Sequence, residues 1–330
     1  MAIVYSSVEK QIIYRIMIMV CPLCEGETKK IGDFSCLDGW RTGLHYCFGC
    51  GSMFRFPMPT DKRLAVFYKR FELKISRQVA LRRLKKCDEQ ARSLAKWLKD
   101  LGIDKNDFIM DLGAGIGGLI HCLKQRGYRN ITGLEPRERA VSWAKEHFSV
   151  DLIPGWIDSA HRQCDAPPRV LLLSHVMEHL PDPIGFFNYL RKFFKGSYLW
   201  IEVPDGRSES LEKNGKIAWR LWAQHLWSYT PKGLTEMVKR QGFQVAGLED
   251  VTNYRLAGKL REIELRLSLE NAALSDLMIN GTVPNKSMLR FGLKFDVYFL
   301  MKQIEKAFFA LNRHSRPDSN SCFRMIAAIA

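Results

Sequence analysis

An α/β fold is predicted for this 330-residue chain: a Rossmann-like, mostly parallel sheet wrapped by helices, with a small cysteine-bearing module ahead of it. Three observations predict it. Between residues 103 and 251, short apolar runs of strand length alternate with segments of helical period, the pattern of successive βαβ units. The stretch from Phe108 to Gly118, Phe-Ile-Met-Asp-Leu-Gly-Ala-Gly-Ile-Gly-Gly, ends one such run in an acid and then sets four glycines within six positions. Two Cys-x-x-Cys pairs, Cys21/Cys24 and Cys47/Cys50, stand well upstream of that loop.

Charge divides the chain further. The net formal charge is +15, yet residues 62–99 hold 13 Lys/Arg against 3 Asp/Glu while residues 100–251 hold 19 of each sign, so the glycine-loop region is neutral and the excess is peripheral. A basic excess of this kind favours an anionic partner, whether nucleic acid, a sugar phosphate or a membrane surface, or else is a solvated helix face. Residues 11–20 are apolar, but Arg15 interrupts them and the run is too short to span a bilayer. No transmembrane segment and no secretory leader are expected, which with the Cys-x-x-Cys pairs points to a reducing, cytoplasmic setting. Residues 1–19 are expected to form a poorly packed extension.

The cysteines space as C-x2-C-x22-C-x2-C, an interval slightly longer than usual for a zinc ribbon. Each pair makes a tight turn that aims two thiolates at one ion, and Cys21, Cys24, Cys47 and Cys50 together complete a closed tetrahedral shell for a structural Zn²⁺. A module of residues 20–60 is too small to be stable on its core alone, so the metal would supply much of its folding free energy. Cys36 lacks a partner at that spacing, and His45 would be a superfluous fifth ligand. Pro57 and Pro59 make an extended exit, and Asp61 is expected to cap a helical, basic bridge over residues 61–102, with Ala91, Leu94, Ala95, Leu98 and Leu101 on one stripe.

The sheet follows in order. The run Phe108–Met110 is a strand, and Gly113, Gly115 and Gly117 let backbone approach a ligand where a Cβ would collide. This loop fits the G-x-G-x-x-G of dinucleotide enzymes as well as the D-x-G-x-G-x-G of S-adenosylmethionine (SAM) enzymes. A helix runs from Gly118 to Arg126 and stops at Gly127. A second strand, Asn130–Glu135, ends in an acid suited to two ribose hydroxyls. A helix over Arg137–Phe148, a short strand near Asp151–Ile153 and a loop with Trp156 and Ile157 follow, the last two able to wall an adenine ring or to be core. Arg169–Ser174 is a strand buried on both faces. Asp182 and Pro183 start the next helix as N-cap and N1, which ends at Gly196. Tyr198–Val203 is the fifth strand, Thr230 caps a helix that ends at Gly242, and Gln244–Val251 is the sixth strand.

Taken together, Asp111-Leu-Gly-Ala-Gly-Ile-Gly, Glu135-Pro, His175-Val-Met-Glu-His-Leu-Pro-Asp-Pro, Ile201-Glu-Val-Pro-Asp and His225-Leu-Trp-Ser-Tyr-Thr-Pro resemble a class I SAM-dependent methyltransferase. From Cys21 to Val251 the chain resembles the subgroup with an amino-terminal zinc ribbon found among bacterial glycan and sugar methyltransferases. The resemblance implies SAM as cofactor, held by Asp111, Gly113, Ala114, Gly115, Gly117, Glu135, Trp156, Ile157 and Ser174. It also implies a methyltransferase domain over residues 103–330 with a seven-stranded sheet whose last strand is antiparallel. Residues 321–330 supply that strand, and residues 256–313 read as a helical insertion that can cover the active site, pair subunits or touch a membrane surface.

Methyl transfer to a hydroxyl or amine benefits from a base, and His225 and His175 flank the strand ends where ligands gather. Trp222, Trp227 and Tyr229 around His225 are suited to stacking on a sugar face. Related ribbon-bearing enzymes that methylate sugar carbon carry a segment resembling Tyr-x-Glu-His; here it reads Trp222-Ala-Gln-His225, which turns the expectation toward O-methylation of a sugar, nucleotide sugar or glycan, an anionic acceptor. The alternative is a nucleic-acid methyltransferase whose ribbon and basic helix grip phosphates. A nicotinamide-dependent oxidoreductase would leave the His175–Pro183 segment and the ribbon without a role.

Overall fold

The structure is a computed structural model and describes residues 19–35, 40–70, 77–213, 216–219, 225–250 and 322–329. The expected extension up to residue 18 and the expected insertion over 256–313 lie outside the described residues. The chain divides into two compact units, each discontinuous in sequence: Met1–Pro57 with Pro204–Glu236 and Asp250–Phe323, and Met58–Val203 with Met237–Glu249 and Arg324–Ala330.

In the first unit, β1 (Thr28–Ser35), β2 (Arg41–Cys47) and β3 (Met53–Phe56) form an antiparallel meander with a bulge between Lys30 and Gly32. Its fourth strand comes from far along the chain. β11 (Trp227–Ser228) pairs with β3, Trp227 opposite Phe54 and Ser228 opposite Met53, giving the order β1-β2-β3-β11. Cross-strand aromatic stacking explains the register. His45 lies on Phe54 at 5.5 Å between centroids, Phe54 on Trp227 at 5.5 Å and Trp227 on Tyr229 at 6.0 Å, all three pairs within 27° of coplanar. A short helix α6 (Gly206–Glu209) and a hairpin of β9 (Ser210–Lys213) and β10 (Lys216–Trp219) belong to the same unit.

The second unit carries the seven-stranded sheet, in the order β12-β13-β8-β7-β4-β5-β6. Its strands are β4 (Ile109–Leu112), β5 (Ile131–Glu135), β6 (Ile153–Pro154), β7 (Val170–Ser174), β8 (Tyr198–Pro204), β12 (Gln244–Asp250) and β13 (Cys322–Ala328). β4 runs parallel to β5 and β7, β6 to β5, and β8 to β7. β13 reverses: Ile329 exchanges backbone hydrogen bonds with Gly196 and Ser197 just before β8, while Arg324 reaches Glu202 near the far end of β8, so the two strands are antiparallel. Helices α3 (Gly118–Gln125), α4 (Glu138–Phe148) and α5 (Pro183–Phe193) are the crossovers. Asp182 caps α5 through Gly185 N at 2.8 Å, with Pro183 in the first turn.

The bridge is two helices, α1 (Asp61–Arg70) and α2 (Arg77–Asp100). Thr60, not Asp61, caps the first: its carbonyl accepts from Leu64 N at 3.0 Å and its hydroxyl faces Arg63 N at 3.4 Å. α2 buries Ala91, Leu94 and Leu98 in a core shared with Ile109, Leu123, Leu172 and Trp200. At about 1.5–3 kcal/mol for each buried large aliphatic side chain, Leu94 and Leu98 alone firmly dock α2 in this unit. No helix among the described residues is long and apolar enough to cross a membrane.

Candidate functional site

The glycine loop leaves β4 and is pinned to its neighbour strand. Gly113 N and Ala114 N both donate to Leu134 O on β5, at 2.9 and 2.8 Å. Gly113, Gly115 and Gly117 all have positive φ, at 82°, 57° and 73°. A Cβ on Gly113 would stand 2.7 Å from a methyl of Val176, whereas one on Gly115 would meet nothing within 4 Å. Gly115 therefore borders open space. Its amide donates to Glu135 Oε2 at 2.8 Å, and Arg137 closes on Oε1 through its backbone N at 3.1 Å and its Nε at 2.6 Å.

Asp111 supplies the test of whether a cofactor fits. It is 2% exposed, and its Oδ1 has no hydrogen-bond partner among the described residues. Burial first, and the Glu135 charge second, push its pKa up to about 7. A buried carboxylate left unsatisfied is costly unless a ligand completes it. With the positive-φ glycines, the acid of Glu135 and a half-exposed Trp156 (46%) at the start of the 157–162 turn, the second unit fits a cationic nucleoside cofactor.

At the carboxyl end of β7, His175 adopts φ 55°, unusual for a residue with a Cβ. Its Nδ1 lies 3.2 Å from Glu178 and its Nε2 lies 3.1 Å from Glu202 and 2.8 Å from Lys86 Nζ. The Nε2 bonds Glu202 when it carries a proton and Lys86 when it does not. Burial and the Lys86 charge oppose a charged ring, but the hydrogen bonds to Glu178 and Glu202 together with the Glu178 charge outweigh them, so the pKa of His175 is raised. Gln90 donates to Ser174 Oγ at 2.9 Å and to Glu202 at 2.6 Å, and Arg324 Nε donates to Glu202 at 2.5 Å. Burial resists ionising Glu202, yet His175, Arg324 and Lys86 hold it well below the usual carboxylate range.

Lys86, Gln90, Glu202 and Arg324 were not singled out by sequence. A signal existed: Glu202 interrupts the apolar run Leu-Trp-Ile-Glu-Val, and Arg324 interrupts Cys-Phe-Arg-Met-Ile. Charges inside strands buried on both faces must find each other.

In the first unit, the thiols of Cys21, Cys24, Cys47 and Cys50 lie within 4.8 Å of one another. Cys21 and Cys50 approach to 3.9 Å and Cys24 and Cys47 to 3.4 Å, close to the ~3.8 Å sulfur separation of a tetrahedral site with ~2.3 Å bonds. Hydrogen bonds from Cys21 and Cys50 pull Cys47 down, while bonding to Cys47 pushes Cys21 up and bonding to Cys21 pushes Cys50 up. Gly26 and Gly49 pack so close that a Cβ on either would come within 3.2 Å of Cys24 Sγ. Donor set and cradle fit a zinc ion.

His225 is 9% exposed and lies in the wholly buried stretch 225–230 of the same unit. The expectation that Trp227 and Tyr229 stack on a sugar is corrected: they are 3% and 1% exposed, stack on each other, and Trp227 also stacks on Phe54. They are core of the cysteine-bearing unit. Trp222 lies outside the described residues.

Residues 87–247 match the family described as a methyltransferase domain. A ubiquinone biosynthesis O-methyltransferase of Neisseria meningitidis is 25% identical over 171 residues, covering 45% of this chain and 68% of that protein. Among solved structures, a SAM-dependent methyltransferase from Archaeoglobus fulgidus aligns over 80% of this chain and 98% of its own with 18% identity and a TM-score of 0.44. The magnesium protoporphyrin IX methyltransferase of Synechocystis PCC 6803, solved with bound SAM, aligns over 56% of this chain and 83% of its own with 14% identity and a TM-score of 0.38.

Proposed function

We propose that the chain, whose residues 87–247 match a methyltransferase domain, is a class I SAM-dependent methyltransferase that transfers a methyl group to a hydroxyl of a sugar, nucleotide sugar or glycan, and that its four cysteines hold a structural zinc. The observation that carries the reading is the joining of the four-cysteine sheet to β11, two residues after His225. The sequence resemblance to ribbon-bearing sugar methyltransferases supports a sugar acceptor. An oxygen acceptor is further supported by the O-methyltransferase likeness.

The cofactor supplies a sulfonium-activated methyl group. The chain's task is to bind, orient and accept a proton. Glu135, already pre-oriented by Gly115 N, would take the ribose hydroxyls; Trp156 would wall the base; Asp111 would answer positive charge. His225 would accept the acceptor's hydroxyl proton at an imidazole nitrogen. His175, with both ring nitrogens already engaged by Glu178 and Glu202, would hold the end of β7 in place.

A screen of labelled SAM against nucleotide sugars, lipid-linked glycans and short RNAs tests the reading. Label in a sugar hydroxyl is the expected result. Incorporation into RNA alone would reject it in favour of a nucleic-acid acceptor gripped by the exposed Arg82, Arg83 and Lys85 of α2.

A further inference from the structure

The knuckle loop Cys47–Ser52 closes on itself through three bonds: Cys47 N to Ser52 O and Gly51 N to Cys47 O, both at 2.9 Å, and Cys50 N to Cys47 Sγ at 3.4 Å. The outer face of the same loop grips the start of α7 (Pro231–Arg240). Thr230 Oγ1 donates to Cys50 O at 2.6 Å and accepts from Gly233 N at 3.0 Å, while Thr230 N donates to Ser52 Oγ at 3.1 Å. Lys232 Nζ donates to Gly49 O at 2.7 Å, and a Cβ on Gly233 would overlap Ser52 Oγ and stand 3.1 Å from Cys50 Sγ. On the other side, Arg55 N donates to Leu226 O at 2.9 Å as β11 joins β3. Leu226, Thr230 and Lys232 thus take hydrogen-bond partners from the metal knuckle and the strand it leads into, while Tyr229 O accepts from Gly206 N at 2.7 Å.

We infer that metal binding at the four cysteines sets the conformation of residues 225–233, with Thr230 as the positioning residue that transmits it. The inference rests on the zinc reading proposed above. The loop that presents Cys50 O and Ser52 Oγ is fixed by two of the four ligands, Cys47 and Cys50, so releasing the ion frees both acceptors of the Thr230 bonds. A four-stranded sheet this small lacks the core to hold its shape unaided. His225 enters directly ahead of β11, so the acceptor-side base is placed by the ion without touching it. Coupling is reciprocal: what loosens Thr230 must also loosen the metal.

The test uses holoprotein of wild type, Thr230→Val and Thr230→Ser, with zinc content fixed first by elemental analysis. Zinc transfer to a chromogenic chelator is followed optically. Loss of the hydroxyl, which serves one carbonyl and one amide, should speed release about 5–30-fold, and Thr230→Ser should restore it to within about twofold of wild type. In parallel, chelation of wild type should raise hydrogen exchange across 225–233 while amides of 109–118 keep their protection and S-adenosylhomocysteine affinity is unchanged. Wild-type release rates in Thr230→Val, or full protection of 225–233 after chelation, would overturn the inference. If Thr230→Val does not fold, the wild-type exchange experiment decides alone. Absence of stoichiometric zinc in wild type would overturn the metal reading itself, and with it this inference, before any variant is made.

Discussion

Replacing Asp111 by Asn removes one buried charge and little else. Its carboxyl is pushed from an ordinary 3.8 to about 7, chiefly by burial and then by Glu135. A raised carboxylate pKa costs stability as pH climbs. Between the two values the unfolded chain is ionised while the folded one keeps its proton, so folding binds protons and stability falls with rising pH until the folded pKa is passed. At about 1.4 kcal/mol per unit, the full cost approaches about 4 kcal/mol above pH 7, and about 3 kcal/mol of it accrues between pH 5 and pH 8. Asp111→Asn should lose this component of the pH dependence across that window, leaving that of His175, and be more stable than wild type at pH 8. Hydrogen exchange of the β4 amides reads this unit directly. A cationic cofactor favours the ionised form, so binding at pH 7 should also release about half a proton, measurable by calorimetry in buffers of different ionisation enthalpy. Parallel pH profiles for wild type and Asp111→Asn, with no proton release, would refute the reasoning.

Glu135→Ala should weaken SAM binding by about 1.5–3 kcal/mol, as a charge-assisted acceptor is lost and Arg137 swings free of its partner; unchanged calorimetric affinity would remove Glu135 from the cofactor site. His225→Ala should lower turnover about 10²–10⁴-fold with SAM affinity nearly unchanged; loss of SAM binding would make His225 structural, and full activity would move the base to His175. Glu202→Gln should destabilise the second unit by about 3–5 kcal/mol, because Arg324 stays buried opposite a neutral amide. Denaturation midpoints within experimental scatter of wild type would show that the buried pair is not formed.

The parallel sheet was legible because its strands are continuous apolar runs, Val170-Leu-Leu-Leu173 most clearly, and because helices of 8–11 residues lead on from β4, β5 and β7, the last of them capped by Asp182. Local chemistry decides such elements. The cap of α1 was misread since Thr60 and Asp61 are both good capping residues and adjacency alone cannot choose between them. β11 was not legible at all. Two residues carry no periodicity, and Trp227 and Ser228 become a strand only through partners some 170 positions earlier. The same holds for the candidate site: the backbone of the glycine loop is written in its glycines, whereas the Lys86, Gln90, Glu202 and Arg324 cluster assembles from four distant segments. Aromatic residues at 227 and 229 misled because a sequence does not say whether a ring faces a ligand or another ring.

The position of β13 has a bearing on how the chain folds as it is made. It lies inside the sheet, between β8 and β12, yet residues 251–321 separate it from β12. Until the ribosome has released Cys322–Ala328, the edge of β8 is an open template and Glu202 is sealed beside it without its arginine. Closing a loop of that length costs only a few kcal/mol, so the delay is one of time more than of energy. At roughly 5–20 residues per second, several seconds pass in which a half-built sheet exposes an unpaired strand. Through that interval the unpaired edge of β8 is the place where a chaperone, or a transient strand of the chain itself, would bind.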